Sequence, residues 1–164
     1  MAIRIWQFLA VVFTALALVP GGAHLIELPA KIDMPEDPYF VVQQIYRGWA
    51  LWGAVILAAI LTNFASALAA RHNPPQLWLS IAAGLLVAAT LVVFFGWTYP
   101  VNQATANWTS APDDWERLRV QWEYSHAINA LITFLALLCS VGAALSYRVS
   151  HAATLHAAAH RHAN

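Results

Sequence analysis

Two short stretches carry the residue types of acid–base or metal chemistry inside otherwise apolar sequence. They are His24-Leu-Ile-Glu27 and Arg119-Val-Gln-Trp-Glu123-Tyr-Ser-His126. On a helix, Arg119, Glu123 and His126 fall at i, i+4 and i+7, and His24 and Glu27 at i and i+3, so each set shares one face. Glu123-x-x-His126 has the spacing that carboxylate-bridged di-metal bundles place on their inward faces. His24, Glu27, Glu123 and His126 together would offer nitrogen and oxygen donors suited to a transition metal such as iron or copper. The motif is weak, and the other apolar segments lack the two further carboxylates of a full di-iron set. The same imidazoles, His24 and His126, could instead be paired axial ligands of haem. A purely structural alternative pairs Arg47 with Glu27 and Arg119 with Glu123, leaving the histidines as core residues.

The elements that must position these residues are membrane helices. The chain of 164 residues is 60% hydrophobic and 10% charged, with a positive mean hydropathy, far from the roughly 25% charge of a soluble domain. A formal net charge of zero gives no basic footprint for nucleic acid. A single cysteine, Cys139, excludes an intramolecular disulfide and a thiolate cluster. Four apolar segments run from about Ile5 to Leu28 (interrupted by Pro20-Gly21-Gly22), Val41 to Ala70, Leu77 to Trp97 and Ala127 to Tyr147. Each approaches the ~20 residues that cross a bilayer. The expectation is an all-α, four-helix transmembrane bundle, up-down-up-down, over residues 1–150, followed by a His/Ala-rich tail over 151–164. Ser110 is the expected N-cap of the fourth helix, whose first turns would extend beyond the membrane. In the tail, His156 and His160 stand at chelating spacing, though a free, frayed tail is the expectation.

Orientation follows the basic residues of short loops. Arg4, Arg71, Arg148 and Arg161 stand on one side without an acid. Lys31, Arg117 and Arg119 stand on the other beside Asp33, Glu36, Asp37, Asp113, Asp114 and Glu116. This places both termini in the cytoplasm, in the inner (plasma) membrane of a bacterium. Arg4, the apolar run and Gly21-Gly22-Ala23 also spell a secretory signal; the first segment is read here as an uncleaved helix. With this topology His24, Glu27, Gln43, Gln44, Tyr46, Arg47, Trp97, Asn102, Arg119, Trp122, Glu123 and His126 share the non-cytoplasmic end. Ionisable groups at membrane depth usually face a bundle interior or cavity. The other half holds little comparable, only Thr62, Asn63, Ser66, Thr133 and Ser140.

Pro100-Val-Asn102, followed after a loop by Trp115, Leu118, Arg119, Trp122 and His126, resembles the signature of the anthrone-oxygenase-like family of small four-helix membrane proteins. The resemblance covers the last two segments and their loop, and more loosely the His24-to-Pro29 end of the first. Asn129 stands where the family motif often carries arginine. The resemblance implies a polar pocket built from Asn102, Trp122 and His126, and an oxygenase acting on an aromatic or polyketide-like substrate.

Three functions follow. One is an oxygenase-like membrane oxidoreductase for a small lipophilic ligand. His126, Glu123, Arg119 and Arg47 would be its catalytic groups, with Arg47, Arg119 and Asn102 orienting an anionic or carbonyl oxygen and Trp97, Asn102 and Trp122 lining the pocket. Another is a haem- or quinone-binding electron-transfer subunit. The last is a non-catalytic membrane partner, as a homo-oligomer or a subunit of a complex.

Overall fold

In the computed structural model, which describes the backbone of residues 2–162 and the side chains of residues 2–146, the described chain is helical throughout. It comprises α1 (Ala2–Lys31), α2 (Glu36–Gln43), α3 (Trp52–Ala69), α4 (Pro74–Val93), α5 (Tyr99–Ala104) and α6 (Trp115–His162). Four stretches, Ala2–Lys31, Trp49–Ala69, Pro74–Ala104 and Trp115–Ser146, are long and apolar enough to cross a membrane, the mark of an integral membrane protein. Their helices close a ring in which α1 packs on α3 and α6, and α4 on α3 and α6.

The packing is that of helices without a hydrophobic driving force between them. Small residues at the contacts let backbones approach, and polar side chains bond across helices. Ala17, Ala59, Val87 and Ala136 form the dry centre, while Leu57, Leu61, Leu68, Phe95 and Leu135 point outward. Pro20-Gly21-Gly22 does not interrupt α1, as the sequence suggested it would. Proline is tolerated in membrane helices whose neighbours support them. Gly21 is also a contact point, since a Cβ there would lie 3.3 Å from the Ala130 Cα of α6.

Two further expectations are corrected. The second apolar segment is not one helix: α2 ends at Gln43, and the chain reverses at Gly48 with φ +84, a conformation that costs glycine nothing. Beyond α4 the chain widens into a π turn, Phe94–Thr98, before α5. Pro100, in the first turn of α5, has no N–H to give and crowds the carbonyl four residues back, and a wider turn accommodates it. The fourth segment starts at Trp115 rather than at a Ser110 cap; the Trp115 amide bonds the Pro112 carbonyl at 3.0 Å. The α6 backbone runs through residue 150 without a break. The tail histidines lie outside the described side chains.

The half of the bundle expected to be nearly featureless holds a neutral network. Asn63 Nδ2 donates to Thr14 Oγ1 at 3.0 Å, Ser140 Oγ donates to Asn63 Oδ1 at 2.8 Å, and Ser66 meets Ser80 at 3.2 Å. Asn63 thus ties α1, α3 and α6 at a fully buried point. Replacing it by alanine leaves Thr14 and Ser140 without their partner. Asn63→Ala is expected to lower stability by about 1 kcal/mol, read by denaturant unfolding in mixed micelles.

Candidate functional site

The opposite end of the bundle gathers charge. The last turns of α1 present His24, Glu27 and Lys31 on one face, and the first turns of α6 present Arg119, Trp122, Glu123 and His126. α2 folds over both and adds Tyr39 and Gln43. The turn before α3 adds Tyr46 and Trp49, and α5 adds Asn102.

At the centre, Lys31 Nζ lies 2.8 Å from Glu123 Oε1, both side chains almost wholly buried. Tyr39 donates its hydroxyl to the same carboxylate oxygen at 2.9 Å. Lys31 also donates to Tyr46 Oη at 3.0 Å, and Tyr46 donates to Glu27. The ammonium lies over the rings of Tyr46 and Trp122, 4.6 and 5.0 Å from their centroids, a favourable setting for a desolvated cation. A continuous row of polar contacts, Glu27–Tyr46–Lys31–Glu123–Tyr39, therefore joins a half-buried carboxylate to a fully buried one. Burial, then the charge and hydrogen bond of Glu123, holds the Tyr39 phenol well above its usual range. Burial, then the bond to Glu27, does the same for Tyr46. Both phenols are therefore held as hydrogen-bond donors.

Beside this row the imidazoles of His24 and His126 are in contact, ring centroids 4.1 Å apart and planes 34° from parallel. Trp122 packs on both, 4.9 Å from His24 and 4.2 Å from His126. Tyr46 and Trp49 complete the wall around His24 at 4.4 and 5.7 Å. Trp122 is fixed by its indole N–H, which donates to Asn102 Oδ1 at 2.8 Å. Thr98, in the π turn, meets Ser125 at 2.7 Å just below. The buried Nδ1 of His24 has no hydrogen-bond partner, nor has the second oxygen of Glu123.

Of the residues singled out from sequence, His24, Glu27, Asn102, Arg119, Trp122, Glu123 and His126 are brought to this end together. Arg47 is not in the cluster: it is exposed just before the Gly48 reversal, and Lys31 and Tyr46 occupy the role assigned to it. Trp97 is 56% exposed on the π turn, and only its carbonyl takes part, accepting from Gln121 at 2.9 Å. Arg119 does not pair with Glu123; it donates to the Met34 carbonyl and stacks on Trp115. The expected metal set is not assembled, because Glu27 and Glu123 are committed to Tyr46, Lys31 and Tyr39. Among the described residues no group of three His, Cys, Asp or Glu side chains is placed to hold a metal. Haem between the two imidazoles does not fit, since their rings touch where the macrocycle would lie. Lys31 and Tyr39 fall between the first two apolar segments of the sequence, yet Lys31 stands four after Glu27 and seven after His24, a legible helical spacing. Tyr39 had no such signal.

Comparison with family models, with curated proteins and with solved structures finds no match to this chain.

The tyrosines make stability pH-dependent in a definite sense. An unfolded phenol ionises near pH ~10, whereas folded Tyr39 and Tyr46 keep their protons above that value. As pH rises past ~10 the unfolded chain binds fewer protons than the folded one, and stability falls. The thermal midpoint in detergent is expected to drop on raising pH from ~9 to ~11, less steeply in Tyr39→Phe; an unchanged midpoint across that range would contradict the burial of these phenols.

Proposed function

We propose that this chain is an integral membrane protein whose polar end is an acid–base site for a small lipophilic or aromatic substrate, acting as an oxygenase-like oxidoreductase. The observation that carries the reading is the orphaned Nδ1 of His24, buried in a box of Tyr46, Trp49, Trp122 and His126. A buried polar atom without a partner costs free energy, and aromatic walls suit a flat apolar ligand. In this reading His24 takes a proton from an activated C–H or O–H of the substrate, with His126 and Trp122 holding its ring. Tyr46, in ring contact with His24, heads the polar row to half-buried Glu27, a route by which the proton leaves. The electron-rich anion left behind is the species that dioxygen would oxidise. The motif Pro100-Val-Asn102 with Trp122 and His126, like that of anthrone-oxygenase-like proteins, supports the same assignment.

The helices run up-down-up-down in this proposal, both termini lie in the cytoplasm of a bacterial cell, and the polar end with the first turns of α6 faces out. The excess of arginine without acids at the opposite loops supports this orientation. The mutual satisfaction of Lys31, Glu123, Tyr39, Tyr46 and Glu27 favours a second reading, in which the row is a clamp holding a non-catalytic partner subunit together.

Hydrogen exchange separates the two. Purified protein in nanodiscs is expected to speed deuterium uptake at the acidic C–H of anthrone, a lipophilic aromatic ketone. His24→Ala is expected to reduce that rate about 100-fold or more, the range for a lost general base. Absence of any acceleration by the wild-type protein would leave the clamp as the function of the cluster.

A further inference from the structure

Outside the His24 box lies a second group of unsatisfied polar atoms. Gln43 Nε2 and Oε1, Trp108 Nε1, Arg119 Nε and Glu123 Oε2 are all buried with no hydrogen-bond partner. Their residues are more than nine-tenths buried, at 4%, 3%, 7% and 0% exposure for Gln43, Trp108, Arg119 and Glu123. They come from α2, the turn after α5, and α6, and they converge on Tyr39. The Trp108 ring lies 5.0 Å from that of Tyr39, and the Arg119 guanidinium carbon 5.5 Å from its centroid. Glu123 accepts from its hydroxyl, and Gln43 is one turn on along α2, on the same face. Native structures leave few buried polar groups unpaired, and each needs a physical reason; here four residues share one neighbourhood.

Arg119 sharpens the chemistry. Glu123 is neutralised by Lys31, but among the described residues no carboxylate lies within ion-pair distance of Arg119. Its contacts are the Met34 carbonyl and the faces of Trp115 and Tyr39. A buried cation without a counter-ion is costly. The donors around it are the guanidinium Nε–H and an indole N–H, both free, and the Gln43 amide, which faces the Tyr39 hydroxyl without closing a well-formed bond, a set that suits one negatively charged oxygen rather than a multiply charged phosphate. Phe40, Trp108 and Trp115 supply apolar walls. Trp108 is delivered by a backbone that pays for its placement: Ala106, Asn107 and Trp108 have φ of 47, 56 and 61, uncommon for any residue with a Cβ and a marked outlier for a bulky one.

We infer that Arg119, Trp108 and Gln43 form a binding site for the anionic oxygen of a small lipophilic acid, a carboxylate or enolate, under the cap formed by α2 and the 105–110 turn. The inference goes beyond proton transfer at His24 and does not depend on it; Trp122 is the wall between the two, 5.9 Å from Trp108 and 4.2 Å from His126.

The test is calorimetric binding of cinnamate, decanoate and the neutral isostere cinnamamide to the whole protein in phosphatidylcholine nanodiscs. At least one acid is expected to bind, and cinnamate at least about ten-fold tighter than cinnamamide. Trp108→Phe keeps an aromatic face of smaller size and Gln43→Leu keeps most of the volume, and each removes a donor. Each is expected to weaken acid binding about ten-fold, the scale of a hydrogen bond to a charged group. Ligand-free thermal stability should be equal or higher in Gln43→Leu, because an unsatisfied buried amide has been removed; in Trp108→Phe the lost indole volume would weaken cinnamate and cinnamamide alike, so a fall in their affinity ratio reports the lost N–H. If neither acid binds, if cinnamate and cinnamamide bind alike, or if both variants bind as the wild type does, the inference is overturned. Such a failure with anthrone exchange intact would count against this site alone and not against the acid–base site.

Discussion

A lysine and a glutamate that both leave water within apolar helices must meet, and the Lys31–Glu123 contact organises everything at this end of the molecule. Separating either charge from the other would leave an ion in a medium of low dielectric, at a cost of several kcal/mol. The pair fixes the last turn of α1 against the third turn of α6. Tyr39 completes the shell of Glu123, which draws α2 over the bundle, and Tyr46 completes that of Lys31, which draws in the turn before α3. His24 and His126 lie two turns before Lys31 and one turn after Glu123, so locking the pair brings the two imidazoles face to face.

The remainder of the bundle provides a frame rather than chemistry. Its centre is dry and made of small residues, Ala17, Ala59, Val87 and Ala136. Its far half is joined by neutral side chains, with Asn63 bonded to Thr14 and Ser140. Large apolar side chains cover the outside, where lipid and not water is the solvent of a membrane protein. Buried charge among the described residues is thereby concentrated at one end, in Lys31, Arg119 and Glu123, and the orphaned atoms of His24, Arg119, Trp108 and Gln43 lie there too.

Much of this was legible in the sequence. Length and apolarity were enough to mark four membrane-crossing helices, because backbone polarity in lipid admits few alternatives. Helical spacing placed Glu123 beside His126 and His24 beside Glu27. It also held Lys31, at seven residues from His24, although Pro29 made that residue look like loop. Partnerships across helices were harder to read. Arg119 and Glu123 are a favourable i, i+4 pair on an isolated helix, but Lys31 reaches the carboxylate with a tyrosine to share it, and the guanidinium turns to a carbonyl and to Trp115 instead. Arg47 fell outside because Gly48 reverses the chain immediately after it, and Trp97 because the π turn before Pro100 changes which face looks inward. The three left-handed residues that carry Trp108 have no signature in their residue types.

The Lys31–Glu123 contact can be weighed directly by a double-mutant cycle read from reversible unfolding in mixed micelles. Lys31→Met alone and Glu123→Leu alone should each cost about 3–5 kcal/mol by stranding the opposite charge. The double variant should recover most of that loss, so that the coupling approaches the sum of the two single losses. Losses that simply add, with the double variant the least stable of all, would contradict the pairing on which the site is built.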